Sequence, residues 1–78
     1  MLEVPTQRTV DVVREALHRA ILDGDLRPGD PLSVPELARQ MKVSRSPVRE
    51  AVLQLVSDGF AVELEFIDDI FECADDGT

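Results

Sequence analysis

Four basic side chains and no acidic one occupy the eleven residues from Arg39 to Arg49, RQMKVSRSPVR, in a chain whose formal net charge is −8. Arg45 and Arg49 are four apart, so on a helix they project from one face. An arginine presents a planar fork of donors that fits a phosphate or the major-groove edge of guanine. Ser44 and Ser46 add hydroxyls, and a helix starting there would add its unpaired backbone N–H groups, all suited to phosphate oxygens. Arg39 and Lys42 lie just upstream and bring two further cations to the same region. The chemistry this pattern can do is recognition of a polyanion.

Catalytic chemistry has far less to work with. His18 is the only histidine and reads as a surface or half-buried helix residue, having no second histidine to share a metal or a proton. Cys73 is the only cysteine, so an internal disulfide and a cysteine-based zinc cluster are excluded, which suits a reducing cytosol. Seven carboxylates crowd residues 63–76, but they lack a histidine partner and calcium-loop spacing and read as a solvated face and frayed end. No enzyme activity, metal or cofactor is expected.

At 78 residues the chain is one domain at most, and a domain this small buries only about three fifths of its extended surface. The acidity is concentrated: residues 1–60 hold all eight Lys and Arg against nine Asp and Glu, whereas residues 61–78 hold seven acidic side chains and no basic one. Net charge therefore does not exclude a nucleic acid, because a partner meets the local field of the folded surface. Acidic Glu3 and the lack of an apolar run near the N-terminus predict no signal peptide, and no stretch approaches the roughly 18 apolar residues of a membrane span. A cytoplasmic protein is expected.

The elements that would carry the basic window follow from periodicity and punctuation. Residues 1–8 read as a flexible arm. Val13, Leu17, Ala20 and Ile21 recur at helical spacing after Thr9, predicting a helix over roughly 10–23 that Gly24 stops. Gly24, Pro28, Gly29 and Pro31 force a compact turn, with Leu26 and Leu32 directed at the core. Ser33 stands three residues before Glu36, as in a capping box, and opens a short helix lined by Leu37, Ala38 and Met41. After Lys42, Val43 and Ser44, a third helix over about 45–57 packs by Val48, Val52, Leu55 and Val56 and ends near Gly59. A short helix, a tight break and a second helix match the helix-turn-helix unit, whose second helix enters the major groove by its N-terminal end.

Positions 21–60, ILDGDLRPGDPLSVPELARQMKVSRSPVREAVLQLVSDGF, resemble the DNA-binding domain of the GntR family of bacterial transcriptional regulators, in particular the branch with all-helical effector domains. The likeness rests on Gly24, Leu26, Pro28, Gly29 and Leu32, then Leu37 and Ala38, then Val43, Ser44, Arg45, Pro47, Val48, Arg49, Glu50 and Ala51, then Leu55 and Gly59. It implies that residues matching Arg45 and Arg49 contact operator DNA, with those matching Ser44 and Ser46 at the phosphate-facing helix end. Lys42 departs from the family's frequent glycine, which would strain the turn or add a phosphate contact. Pro35 stands where relatives are often basic.

The larger departure follows Gly59. A winged-helix domain should continue into a β-hairpin with a Gly- or Pro-containing turn and basic residues, yet FAVELEFIDDIFECADDGT has no such turn before Asp75 and no basic residue. Val62, Leu64 and Phe66 alternate like one strand, and Phe66, Ile67, Ile70, Phe71 and Ala74 then repeat at helical spacing.

The expectation is thus a mainly α, three-helix winged-helix-type domain over 9–60, its β-wing shortened or absent, followed by an acidic segment over 61–78 of one strand and a short helix. It would bind double-stranded DNA sequence-specifically, with no membrane partner, no small-molecule effector site in this chain, and a homodimer or a related regulator as protein partner. The alternative is a protein-interaction or dimerisation module without operator binding, presenting Phe66, Ile70 and Phe71 as an exposed stripe; those residues covering the domain's own core is the competing reading of the same pattern.

Overall fold

The computed structural model of the chain describes residues 9–64 and 69–74. The expected arm over 1–8 lies outside them, as do Phe66, Ile67 and Asp68. The order is α1 (Thr9–Asp23), β1 (Pro31–Ser33), α2 (Val34–Met41), α3 (Arg45–Ser57), β2 (Ala61–Glu63) and β3 (Ile70–Cys73). The fold is mainly α, with a small three-stranded antiparallel sheet as a reduced wing.

α1 turns Val10, Val13 and Leu17 inward, α2 contributes Val34 and Ala38, and α3 contributes Val48, Ala51, Val52 and Leu55. These stripes form one core. None of the three helices could persist alone, since nucleating so short a helix is costly and each has only its apolar face to gain from the others. The capping box is partly realised, because the Ser33 hydroxyl accepts the Glu36 N–H at 3.4 Å. His18 is half-buried, its ring tilted against Phe60 with centroids 4.8 Å apart.

The compact turn after α1 has a definite chemistry. Pro28 and Gly29 are its central residues, Gly29 takes the left-handed φ of 88° that glycine adopts without steric cost, and the Asp30 N–H donates to the Arg27 carbonyl at 2.9 Å. The Asp30 carboxylate accepts the Arg27 N–H at 2.8 Å and closes the turn from the other side.

The end of the chain differs from the sequence expectation. The short helix expected through Ile70, Phe71 and Ala74 is a strand, and it is the middle strand of the sheet, ordered β1–β3–β2. Leu32 pairs with Phe71 across one edge, and Ala61 pairs with Cys73 across the other. The ladder continues past β1, with Gly29 N–H donating to the Cys73 carbonyl and Cys73 N–H to the Asp30 carbonyl, both at 2.9 Å. The physical reason is twofold. IFEC alternates inward and outward with the period of a strand, and Asp69 takes a left-handed φ of 63° without being glycine, a conformation aspartate tolerates better than most residues. Phe71 is only 1% exposed, so it belongs to the domain's own core and not to an exposed stripe.

Phe71→Ala should cost about 3–5 kcal/mol, the usual range for deleting a buried phenylalanine, whereas Val62→Ala, on the exposed outer face of the sheet, should shift a urea midpoint little; chemical denaturation of both variants checks the contrast. Cys73 makes a second test. Burial pushes its thiol above the ordinary thiol range, with the Asp30 carboxylate adding to the effect. The unfolded chain therefore ionises first, so this contribution is intact below the ordinary thiol pKa and is lost as pH rises toward the folded value. With no tyrosine in the chain, melting temperatures should fall through that alkaline window, and Cys73→Ala should flatten the fall.

Candidate nucleic-acid interface

The site is built at the junction of α2 and α3. α2 ends in a left-handed residue: Lys42 has φ 60°, its N–H donates to the Arg39 carbonyl at 3.3 Å, and the Val43 N–H reaches back to the Ala38 carbonyl at 3.0 Å. α3 ends in the same way on Gly59, whose N–H donates to Val56 while Phe60 N–H reaches Leu55 at 2.8 Å. Glycine fills that backbone position at no steric cost, whereas lysine is held there against its preference. Of the two readings of Lys42, the structure shows the unfavourable backbone and leaves the ammonium exposed at the turn.

α3 then begins at Arg45 with Ser44 in the N-cap position. The Ser44 side chain makes no cap hydrogen bond, so its hydroxyl is available to an outside acceptor. Arg45, Ser46 and Arg49 are exposed while Val48, Ala51 and Val52 are buried, so the helix presents its arginine face outward as the spacing predicts. All six expected site residues, Arg39, Lys42, Ser44, Arg45, Ser46 and Arg49, lie on the surface. Ser33, Glu36, Arg39, Ser44 and Arg45 line one open groove between the two helices.

The cations are not equivalent. Arg45 and Lys42 make no ion pair among the described residues, whereas Arg39 is held by Glu36 one turn away, its Nε donating to Oε1 at 3.3 Å and its Nη2 to Oε2. Gln40 Nε2 donates to the same carboxylate at 2.9 Å. The Arg39 and Gln40 hydrogen bonds lower the Glu36 pKa below the ordinary carboxylate range. Arg49 donates its Nε–H to Asp69 Oδ1 at 2.8 Å, a contact between α3 and the start of β3. Sequence reasoning missed Asp69 as part of the site, because twenty residues separate the pair and only tertiary folding brings them together. Among the described residues no helix is long and apolar enough to cross a membrane.

Against known proteins, the family model described as "Bacterial regulatory proteins, gntR family" matches residues 9–64. The HTH-type transcriptional repressor RspR of Escherichia coli (strain K12) is 40% identical over 55 residues, 70% of this chain and 24% of that protein. The Nta operon transcriptional regulator of Aminobacter aminovorans is 53% identical over 34 residues, 44% of this chain and 16% of that protein. Among solved structures, E. coli McbR/YncC superposes with a TM-score of 0.82 at 30% identity, over 90% of this chain and 32% of that one. YtrA from Sulfolobus acidocaldarius, a GntR-family transcription factor, gives 0.71 at 30% identity, over 94% of this chain and 60% of that one. The chain spans about a quarter of the length of RspR.

The Glu36 carboxylate should titrate below the ordinary value of a glutamate, and its side-chain NMR resonances followed against pH should show this. Replacing Arg39 by Gln should return that titration toward the ordinary carboxylate range.

Proposed function

The chain belongs to the GntR family of bacterial regulatory proteins, and from that premise we propose that it binds a specific double-stranded operator, in the cytoplasm, with α3 seated in the major groove. The observation that carries this reading is the outward face of α3, where Arg45, Ser46 and Arg49 are exposed beside an uncapped Ser44 while the opposite face is locked into the core. Arg45, which has no ion-pair partner among the described residues, is a base reader whose fork can take a guanine edge in two bonds. Ser44, Ser46 and the first N–H groups of α3 hold a phosphate, and the Lys42 ammonium neutralises another. Arg39 gives up part of its bond to Glu36 to join them. A homodimer reading two half-sites about one helical turn apart is the assembly this geometry suits; RspR, similar over residues of this domain, is named as a transcriptional repressor.

The interaction-module alternative is weakened, since of the three residues of the supposed apolar stripe Phe71 is buried and Ile70 half-buried, Phe66 lying outside the described residues.

Titration of the chain with duplexes selected from a randomised pool, and with random duplex, at two salt concentrations tests the proposal. Log affinity should fall with log salt at a slope of about 0.9 per phosphate contacted. Arg45→Ala should cost about 1–3 kcal/mol on the selected duplex and much less on random DNA, whereas Lys42→Ala should weaken both alike. Undetectable binding at low salt, or equal loss on both duplexes for Arg45→Ala, would remove the reading role.

A further inference from the structure

Asp69 is bonded to both helices of the helix-turn-helix unit. Its backbone carbonyl accepts the N–H of Val34, the first residue of α2, at 2.9 Å. Its Oδ1 accepts the Nε–H of Arg49, in the second turn of α3, at 2.8 Å. The residue itself is held at φ 63°, so its backbone and its side chain are both fixed where β3 begins.

A carboxylate so close to a DNA-facing arginine can act in two ways. It can repel phosphate, or it can aim the arginine. As a contribution to the fold the pair is minor, because the two side chains remain 50% and 31% exposed and solvent screens them. The atoms involved decide between the two roles. Asp69 takes Nε, the inner nitrogen of the guanidinium, and not Nη1 or Nη2, which form a two-donor fork at its outer end. A long side chain that must be ordered to read a base loses rotamer freedom on binding, and one already held by a partner loses less. Arg45 has no such partner among the described residues, so the two arginines of α3 enter DNA differently prepared.

We infer that Asp69 is a positioning residue for DNA recognition: by holding Arg49 at Nε from the wing it fixes the angle at which the outer fork meets a base edge, and so sets specificity at the position Arg49 faces. The inference rests on the DNA-reading function proposed above. It assigns the reduced, acidic wing a part in recognition that needs no basic residue, since the wing acts through α3.

The test uses the full chain, selected and random duplexes, and two replacements that both tolerate a left-handed backbone. Asp69→Asn keeps an acceptor oxygen and removes the charge. Asp69→Gly removes the acceptor altogether. Melting curves first establish that both variants fold. Asp69→Gly should lose about tenfold in the ratio of selected to random affinity, within the range a bidentate base contact supplies. Asp69→Asn should keep most of that ratio while binding random duplex more tightly at low salt, one repelling charge having gone. Arg49→Lys, which lacks the fork, should lose the same ratio, and combining it with Asp69→Gly should add nothing further. If Asp69→Gly instead raises affinity for selected and random duplex by the same factor, the carboxylate only repels and the inference is wrong. A wild-type chain that shows no preference among duplexes would sink the DNA-reading function and this inference with it, an outcome separate from a wild-type preference that survives Asp69→Gly.

Discussion

The pairing of β3 with a strand on each side is the constraint on which the rest depends. In a domain of three short helices the apolar stripes of α1, α2 and α3 leave one side of the core open, and a single sheet closes it with Leu32, Ala61, Phe71 and Cys73. β3 can serve as lid only because both its edges are hydrogen-bonded, to β1 ahead of the helix-turn-helix unit and to β2 behind it. The two strands that flank β3 are thus the residues leading into α2 and the residues leaving α3. The lid holds the unit at both ends.

Electrostatics in this molecule is a matter of arrangement and not of total charge. Arg39 and Arg45 line one groove at the α2–α3 junction, and Glu63, Asp69 and Glu72 lie in or beside the strands of the wing. Among the described residues three arginines are met by carboxylates, Arg19 and Arg39 within their own helices and Arg49 across the fold. Such exposed pairs add little to stability. Their effect is on geometry and on the state in which each arginine meets an anion. Arg45 and Lys42, lacking an ion pair among the described residues, supply the least encumbered positive charge at the start of α3.

The two helix ends show how one backbone need is met by different residues. α3 and α2 both finish on a left-handed residue with the following N–H reaching back, once with Gly59 and once with Lys42. Backbone strain of this kind persists when the surrounding structure over-determines it, and such positions gather at functional sites. Lys42 stands between the two helices of the proposed DNA-reading unit.

The sequence by itself determined the three helices, the α2–α3 break, and which face of α3 looks outward. These features are local: Ser33 and Ser44 mark helix starts, Gly24 and Gly59 mark ends, and Val48, Val52 and Leu55 recur at the helical period. It also carried the family, because a long run of matching residues needs no tertiary knowledge. What only the tertiary structure decided was the role of residues 61–64 and 69–74. Phe71 and Ala74 fit a helical period as readily as Ile70–Cys73 fits a strand, and short apolar runs are ambiguous between the two. Pairing with Pro31–Ser33, some forty residues earlier in the chain, resolves that ambiguity, and no local pattern contains it. The Arg49–Asp69 contact was hidden for the same reason, since it exists only after β3 is in place.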